Sequence, residues 1–271
     1  MKAAAKRLKP VPLLSDFGLE VNYLTGDKYW HQTLFCAWSL ATIMEGQVKI
    51  NIYSDGSLRK KHNKTIEKTL PGILIKPEKQ VDHYLNKVLP DDNYPTLRRL
   101  RKSHPFFRRL LDIHTQPSWS IHLDSDMLFL KKPGELINAF LNKSAIYMKD
   151  HLVKSYFVDD EKTLETNFGI YCKANVNGGI IAYDHDKVDY IDLERKAKLL
   201  SETYPNTGAA QLEQTLMSYV LYMQGANPLE MERYTIFFDS NIHTTESQIV
   251  QHYIFKAKLP YFSSEWKKIV R

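Results

Sequence analysis

Two carboxylates two residues apart, Asp124 and Asp126, stand between apolar runs in Ile121-His122-Leu123-Asp124-Ser125-Asp126-Met127-Leu128-Phe129. In extended backbone, residues i and i+2 point to the same side, so both acids face one point. Ionised groups that close repel unless a cation lies between them. Hard dications such as Mg²⁺ and Mn²⁺ take carboxylate and phosphate oxygens. In isolation, Asp and Ser at this spacing are ordinary turn residues; the apolar flanks imply a buried setting and favour the metal. A glycine pair precedes another apolar run in Asn175-Val176-Asn177-Gly178-Gly179-Ile180-Ile181. Gly178 and Gly179 let backbone approach a ligand closely, and the Asn177 amide suits a sugar hydroxyl. Further on, His252-Tyr253-Ile254-Phe255-Lys256-Ala257-Lys258 offers an imidazole that can complete a carboxylate metal site. Lys258, six residues on, is a point charge for a phosphate. Taken singly, the glycine pair reads as a turn and His252 as one of the ten histidines in the chain.

These side chains need a frame. Residues 19–25 are rich in β-branched and aromatic types and predict a strand, broken by Gly26-Asp27. Residues 28–45 carry Leu34, Phe35, Ala37, Trp38, Ala41 and Met44 at helical spacing, closed by Gly46. Residues 48–53 predict a second strand with Ser54-Asp55-Gly56 as its turn, and residues 73–75 a short third. Strand, helix, strand at this spacing signals a βαβ unit and a parallel sheet. Right-handed crossover places the ligand crevice at the carboxyl ends of the strands, where Thr25, Asp27 and Asp55 lie. Helices are predicted over 78–89, about 106–113, 187–201 and 211–223, and a strand over 119–123 that ends at Asp124. Residues 1–17 read as a tail and 18–271 as a single domain whose C-terminal third is less regular.

The order of the motifs resembles the retaining GT-A glycosyltransferases, and within them glycosyltransferase family eight. That family shows DxD, then FN(A/S)G, then DQD, then HxxGxxKPW. The resemblance spans about Leu19 to Phe262. It implies a Rossmann-like α/β fold with a mixed, mostly parallel sheet. It also implies a nucleotide-sugar donor (a UDP-sugar), Mn²⁺ or Mg²⁺, and a glycan or other hydroxyl acceptor. Asp124, Asp126 and His252 match the metal ligands, Lys258 the diphosphate lysine, and Asn177 the sugar-binding asparagine. Thr25 and Asp27 fall where base and ribose would sit, and Asp55 lies in the early nucleotide-binding half. Arg108 or Arg109 is placed like the basic residue that a helix supplies to the donor. Phe255 stands where the family has Gly, and Leu259-Pro260-Tyr261 replaces Pro-Trp. The DQD segment is matched loosely by Leu212-Glu213-Gln214-Thr215, in two registers that favour Glu213 or Gln214. Glu213 is the candidate carboxylate beside the anomeric carbon; its bland alternative is a surface glutamate.

Composition sets the bounds. The chain has 271 residues, 43% hydrophobic and 25% charged, which suits a globular protein with a sizeable core. A net charge of +6 suits an acidic ligand without choosing one. Cys36 and Cys172 lack CxxC spacing and fit a reducing compartment. No secretory signal and no membrane-spanning run is read, so the expected place is the cytoplasm, with peripheral membrane contact left open. The dense basic stretch Arg98, Arg99, Arg101, Lys102, Arg108, Arg109 reads mainly as a solvated helix face. It also motivates a non-enzymatic alternative, a polyanion- or nucleotide-sugar-binding module. Nucleic acid is not the expected partner, because the aromatics form no stacking platform. Asp124-x-Asp126 also looks like the nucleophile motif of haloacid-dehalogenase-type phosphohydrolases, but those place it on their first strand.

Overall fold

A computed structural model describes residues 1–115, 118–151 and 156–270. Its strands are β1 (Glu20–Thr25), β2 (Lys49–Ser54), β3 (Leu74–Lys76), β4 (Trp119–Leu123), β5 (Met127–Phe129), β6 (Ile146–Lys149), β7 (Val176–Asp184), β8 (Asn227–Pro228), β9 (Tyr234–Phe237) and β10 (Val250–Tyr253). Its helices are α1 (Lys2–Ala5), α2 (Trp30–Ile43), α3 (Lys60–Thr69), α4 (Glu78–Val88), α5 (Pro95–Ser103), α6 (Pro105–Arg108), α7 (Gly134–Asn142), α8 (Glu161–Phe168), α9 (Tyr190–Thr203) and α10 (Ala209–Met223), followed by the short α11 (Lys258–Pro260) and α12 (Trp266–Lys268).

Seven strands form one sheet in the order β3-β2-β1-β4-β7-β6-β8; three more form a second, β5-β10-β9. Strands β3, β2, β1 and β4 run parallel, and β7 is antiparallel to its neighbours β4 and β6. The expected parallel βαβ start is therefore present. Strand β7 shows why the sheet is interior. Its Ile180 and Ala182 join the core on one face, and Ile181 and Tyr183 join the core on the other. A strand apolar on both sides needs cover on both sides.

Helix α2 is buried continuously from Trp30 to Ala41, beyond the single face that its apolar spacing predicts. It packs against β1 of the large sheet and β5 of the small one, so water reaches little of it. Ser39 ties it down: the Phe129 N–H donates to Ser39 Oγ at 3.0 Å, fastening α2 to β5. The small sheet gives the C-terminal third more order than its sequence suggests. Segment 1–17, expected as a tail, is docked. Ala5 and Leu8 are buried, and Val11 N donates to Thr69 O at 2.9 Å.

The basic stretch also departs from expectation. Arg98 pairs with Asp91 at 3.2 Å, Arg101 with Asp82 at 2.8 Å and with Asp112, and Arg108 with Glu78 at 2.5 Å. Arg98, Arg101 and Arg109 are buried, so only part of the stretch, Arg99 and Lys102, is a solvated face. The helix expected over 106–113 is two pieces, α6 and a π-helical turn, Arg109–Ile113. Asp112 in that turn is fully buried against Arg101. Removing one partner of a buried ion pair strands the other charge, which costs about 3–5 kcal/mol. Asp112→Ala should therefore lower unfolding free energy by about 3 kcal/mol in urea titration.

Candidate active site

The chain leaves the large sheet at Leu123 and enters the small one at Met127, and Asp124-Ser125-Asp126 is the crossing. The crossing is held at each residue. Asp124 N donates to Gly179 O at 2.8 Å, and Tyr253 N donates to Asp126 O at 2.9 Å. Ser125 Oγ and Thr33 Oγ1 lie 2.8 Å apart, and Thr33 Oγ1 donates to Thr25 Oγ1 at 2.7 Å. Register completes the site. Pairing of β10 with β5 puts His252 opposite Met127, and pairing of β7 with β4 puts Ile180 opposite Leu123.

Ligand atoms of Asp124, Asp126 and His252 lie within 4.8 Å of one another. His252 Nε2 is 3.1 Å from Asp126 Oδ1 and 3.8 Å from Asp124 Oδ2. Lys258 Nζ is 2.9 Å from Asp126 Oδ2, and Arg109 Nη1 is 3.6 Å from Asp124 Oδ1. Burial opposes charge on all of these groups, yet the mutual attraction wins. The His122 hydrogen bond and the Arg109 charge hold Asp124 well below the usual carboxylate range. His252 holds Asp126 low, and Asp126 in turn raises His252 and Lys258. Two carboxylate oxygens and one imidazole nitrogen converging in a buried place form a donor set that suits Mn²⁺ or Mg²⁺. The cations now on the two acids show how much positive charge the place demands.

Other expected residues take roles that the sequence did not reveal. Glu213 is fully buried, and both of its oxygens accept from Arg109, at 2.8 and 2.7 Å. It is neither the surface glutamate nor free to meet a sugar carbon; it aims Arg109, which also donates to Gly178 O at 3.2 Å. Gln214 donates its amide to Val176 O. Gly178 and Gly179 were expected to admit a ligand, but they make room for the chain itself. A Cβ on Gly178 would lie 2.3 Å from Arg109 Nη1, and one on Gly179 2.7 Å from His252 Nδ1. The Asn177 amide is committed at both ends, accepting from Gly179 N at 2.8 Å and donating to Asp150 Oδ2 at 3.2 Å. Between the two candidate arginines, Arg109 is the one at the acids; Arg108 points to Glu78. Asp27 pairs with Arg59 at 2.5 Å and His62 at 3.1 Å, and Asp55 accepts from Ser57. Thr25 joins the crossing through Thr33.

Sequence reading missed His122, whose Nε2 lies 3.0 Å from Asp124 Oδ1. A carboxylate only accepts, so Nε2 carries the hydrogen. The signal was available, since His122 is two residues before Asp124 on the same side of the strand. Phe255 has φ +46. That is left-handed backbone, which glycine favours.

No protein-family model and no curated protein matches the sequence. Solved structures do match the fold. The bifunctional glycosyltransferase WbbM aligns with TM-score 0.59 at 13% identity, over 96% of this chain and 52% of WbbM. The chain thus spans about half the length of that protein. The galactosyltransferase LgtC, solved with donor and acceptor sugar analogues, aligns with TM-score 0.59 at 12% identity, over 93% of this chain and 94% of LgtC. Mouse xyloside xylosyltransferase 1 aligns with TM-score 0.54 at 11% identity, over 88% of this chain and 97% of that one. With the strand order described above, these likenesses establish the GT-A fold.

Gly179→Ala should displace His252 and weaken Mn²⁺ binding about 10–100-fold by calorimetry, with far-UV circular dichroism unchanged. Phe255→Gly should raise unfolding free energy by about 1 kcal/mol, because a left-handed non-glycine residue costs that much.

Proposed function

We propose that the chain is a metal-dependent glycosyltransferase that moves a sugar from a UDP-sugar to a hydroxyl of a glycan or similar acceptor. The observation that carries this reading is the convergence of Asp124, Asp126, His252, Lys258 and Arg109 at the crossing between the two sheets of a GT-A fold. The motif order, resembling glycosyltransferase family eight, supports a UDP-hexose donor and retention at the transferred carbon. Asp124, Asp126 and His252 would hold Mn²⁺ or Mg²⁺, which when bound supplies Lewis-acid stabilisation of a departing diphosphate.

The chain's own residues do the rest. Lys258 trades Asp126 for a diphosphate oxygen and adds positive charge where negative charge develops. Arg109, held rigid by Glu213, fixes Asp124 and the Gly178 carbonyl beside the sugar. Its guanidinium is kept strongly basic by Glu213 despite burial, so it stays charged throughout. Glu213 is a positioning residue; Gln214, half-buried on α10, gives its Nε2 to Val176 O and offers its Oε1 to the sugar. Thr25, Asp27 and Asp55 at the ends of β1 and β2 contribute the nucleotide side. Free thiols at Cys36 and Cys172 suit a cytoplasmic setting, and no described helix is long and apolar enough to cross a membrane.

The GT-A fold and a DxD after the fourth strand remove the basis for the phosphohydrolase alternative. Burial of Arg98, Arg101 and Arg109 removes the patch that motivated a binding module there.

The decisive assay is nucleoside-diphosphate release from UDP-, GDP- and dTDP-sugars with Mn²⁺ and then with EDTA. Release from a UDP-sugar should occur with Mn²⁺ and stop with EDTA. Asp126→Ala should lower it about 10²–10³-fold with the fold intact. Normal activity in that variant would refute the metal site. Glu213→Gln should lower kcat about tenfold, because Arg109 loses its aim rather than its charge.

A further inference from the structure

Two cavities of about 560 and 570 Å³ adjoin on the face made by α1, the segment after it, and α3; both have Lys6 and Thr65 in their walls. The first is lined by Lys2, Lys6, Arg59 and Lys61. The second adds Arg7, Lys9, Lys64 and Lys68. Among the described residues Asp27 is the one acid lining either cavity, and Arg59 and His62 already hold it. Of these cations, Arg59 is the one with an acidic partner among the described residues. So much like charge around concave walls attracts anions and focuses their field. Buried His31 registers the same field: burial, then Lys2, the N-terminal amine and His62, push it down to about 4.

The first cavity borders the strand end that leads to the candidate active site. Asp27 on the rim is two residues from Thr25, whose hydroxyl reaches Ser125 through Thr33. Their shape and composition narrow the ligand. A bilayer is flat and rewards apolar insertion, whereas these walls are concave and no large exposed hydrophobic lies in residues 2–9 or 59–68. A nucleic acid rewards stacking surfaces. The aromatic in the first wall, Trp30, is buried and stacked on His62 at 4.5 Å.

We propose that this face binds the anionic part of the acceptor, a glycan carrying phosphate groups, and presents its hydroxyl to the donor. This rests on the glycosyltransferase reading above. It gives the net positive charge of the chain a use, since five of the six cations of the 98–109 stretch are already in ion pairs.

The test uses the full chain without metal and inorganic tripolyphosphate as probe, followed by calorimetry at low salt. The triple variant Lys6→Gln, Lys61→Gln, Lys64→Gln alters exposed side chains outside the candidate active site. It should bind tripolyphosphate about tenfold more weakly, whereas Lys258→Gln should change binding less than about twofold. Equal binding by the triple variant, or loss confined to Lys258→Gln, overturns the site. In the transfer assay the triple variant should keep UDP release. Its KM for a phosphorylated oligosaccharide should rise about tenfold, with no change for the dephosphorylated one. Triple-sensitive sedimentation with phosphatidylcholine–phosphatidylglycerol vesicles, without tripolyphosphate binding, overturns the proposal in favour of lipid. If no donor releases UDP while the triple variant still loses tripolyphosphate, the anion site stands and the glycosyltransferase reading fails.

Discussion

The rest of the site answers to one electrostatic constraint: Asp124 and Asp126 are close together and both held ionised, Asp126 buried and Asp124 only about a third exposed. Two such charges are intolerable in a low-dielectric place without compensation. The compensation comes from residues far apart in sequence. His122 arrives on β4 itself, Arg109 from the π-helical turn, His252 from β10 and Lys258 from the turn beyond it. Each of these elements must be placed to within hydrogen-bond tolerance. The double-sheet architecture can be understood as the scaffold that allows this. The acids cross between the sheets, so groups from both can reach them.

Support for the site extends outward in layers. Glu213 fixes Arg109, and the bareness of Gly178 gives that guanidinium its space. Gly179 does the same for the His252 ring, and Asn177 braces the glycines from behind. Arg101 and Asp112 anchor the turn that carries Arg109. A side chain that looks remote from the acids can thus be one contact from a residue that touches them.

The sequence made some of this visible and hid the rest for physical reasons. The carboxylate pair was legible because strand alternation converts spacing into direction. The βαβ opening was legible because its strands and α2 are strongly apolar. Choosing Arg109 over Arg108 was not possible from spacing. Consecutive helical residues point about 100° apart, and the π-helical turn shifts the phase at that point. The glycine pair was legible as a place of close approach, but not as one filled by the chain's own side chains, since that depends on strand register. The docking of residues 1–17 and the formation of α3 were hidden because both segments are lysine-rich and bury only a few apolar groups. Glu213 gave no sign of burial, because its partner lies 104 positions away.

One contact has a thermodynamic corollary. Lys258 sits on Asp126 in the same region a dication would claim. If Asp126 gave a dication the oxygen that Lys258 now holds, the ammonium would lose its carboxylate partner. A diphosphate bound beside it would give Lys258 a replacement counterion. Under the function proposed here, metal and donor are therefore heterotropic partners, each raising the affinity of the other by the same factor. Lys258 would then act as a tethered competitor that disfavours free metal and favours the metal–nucleotide complex.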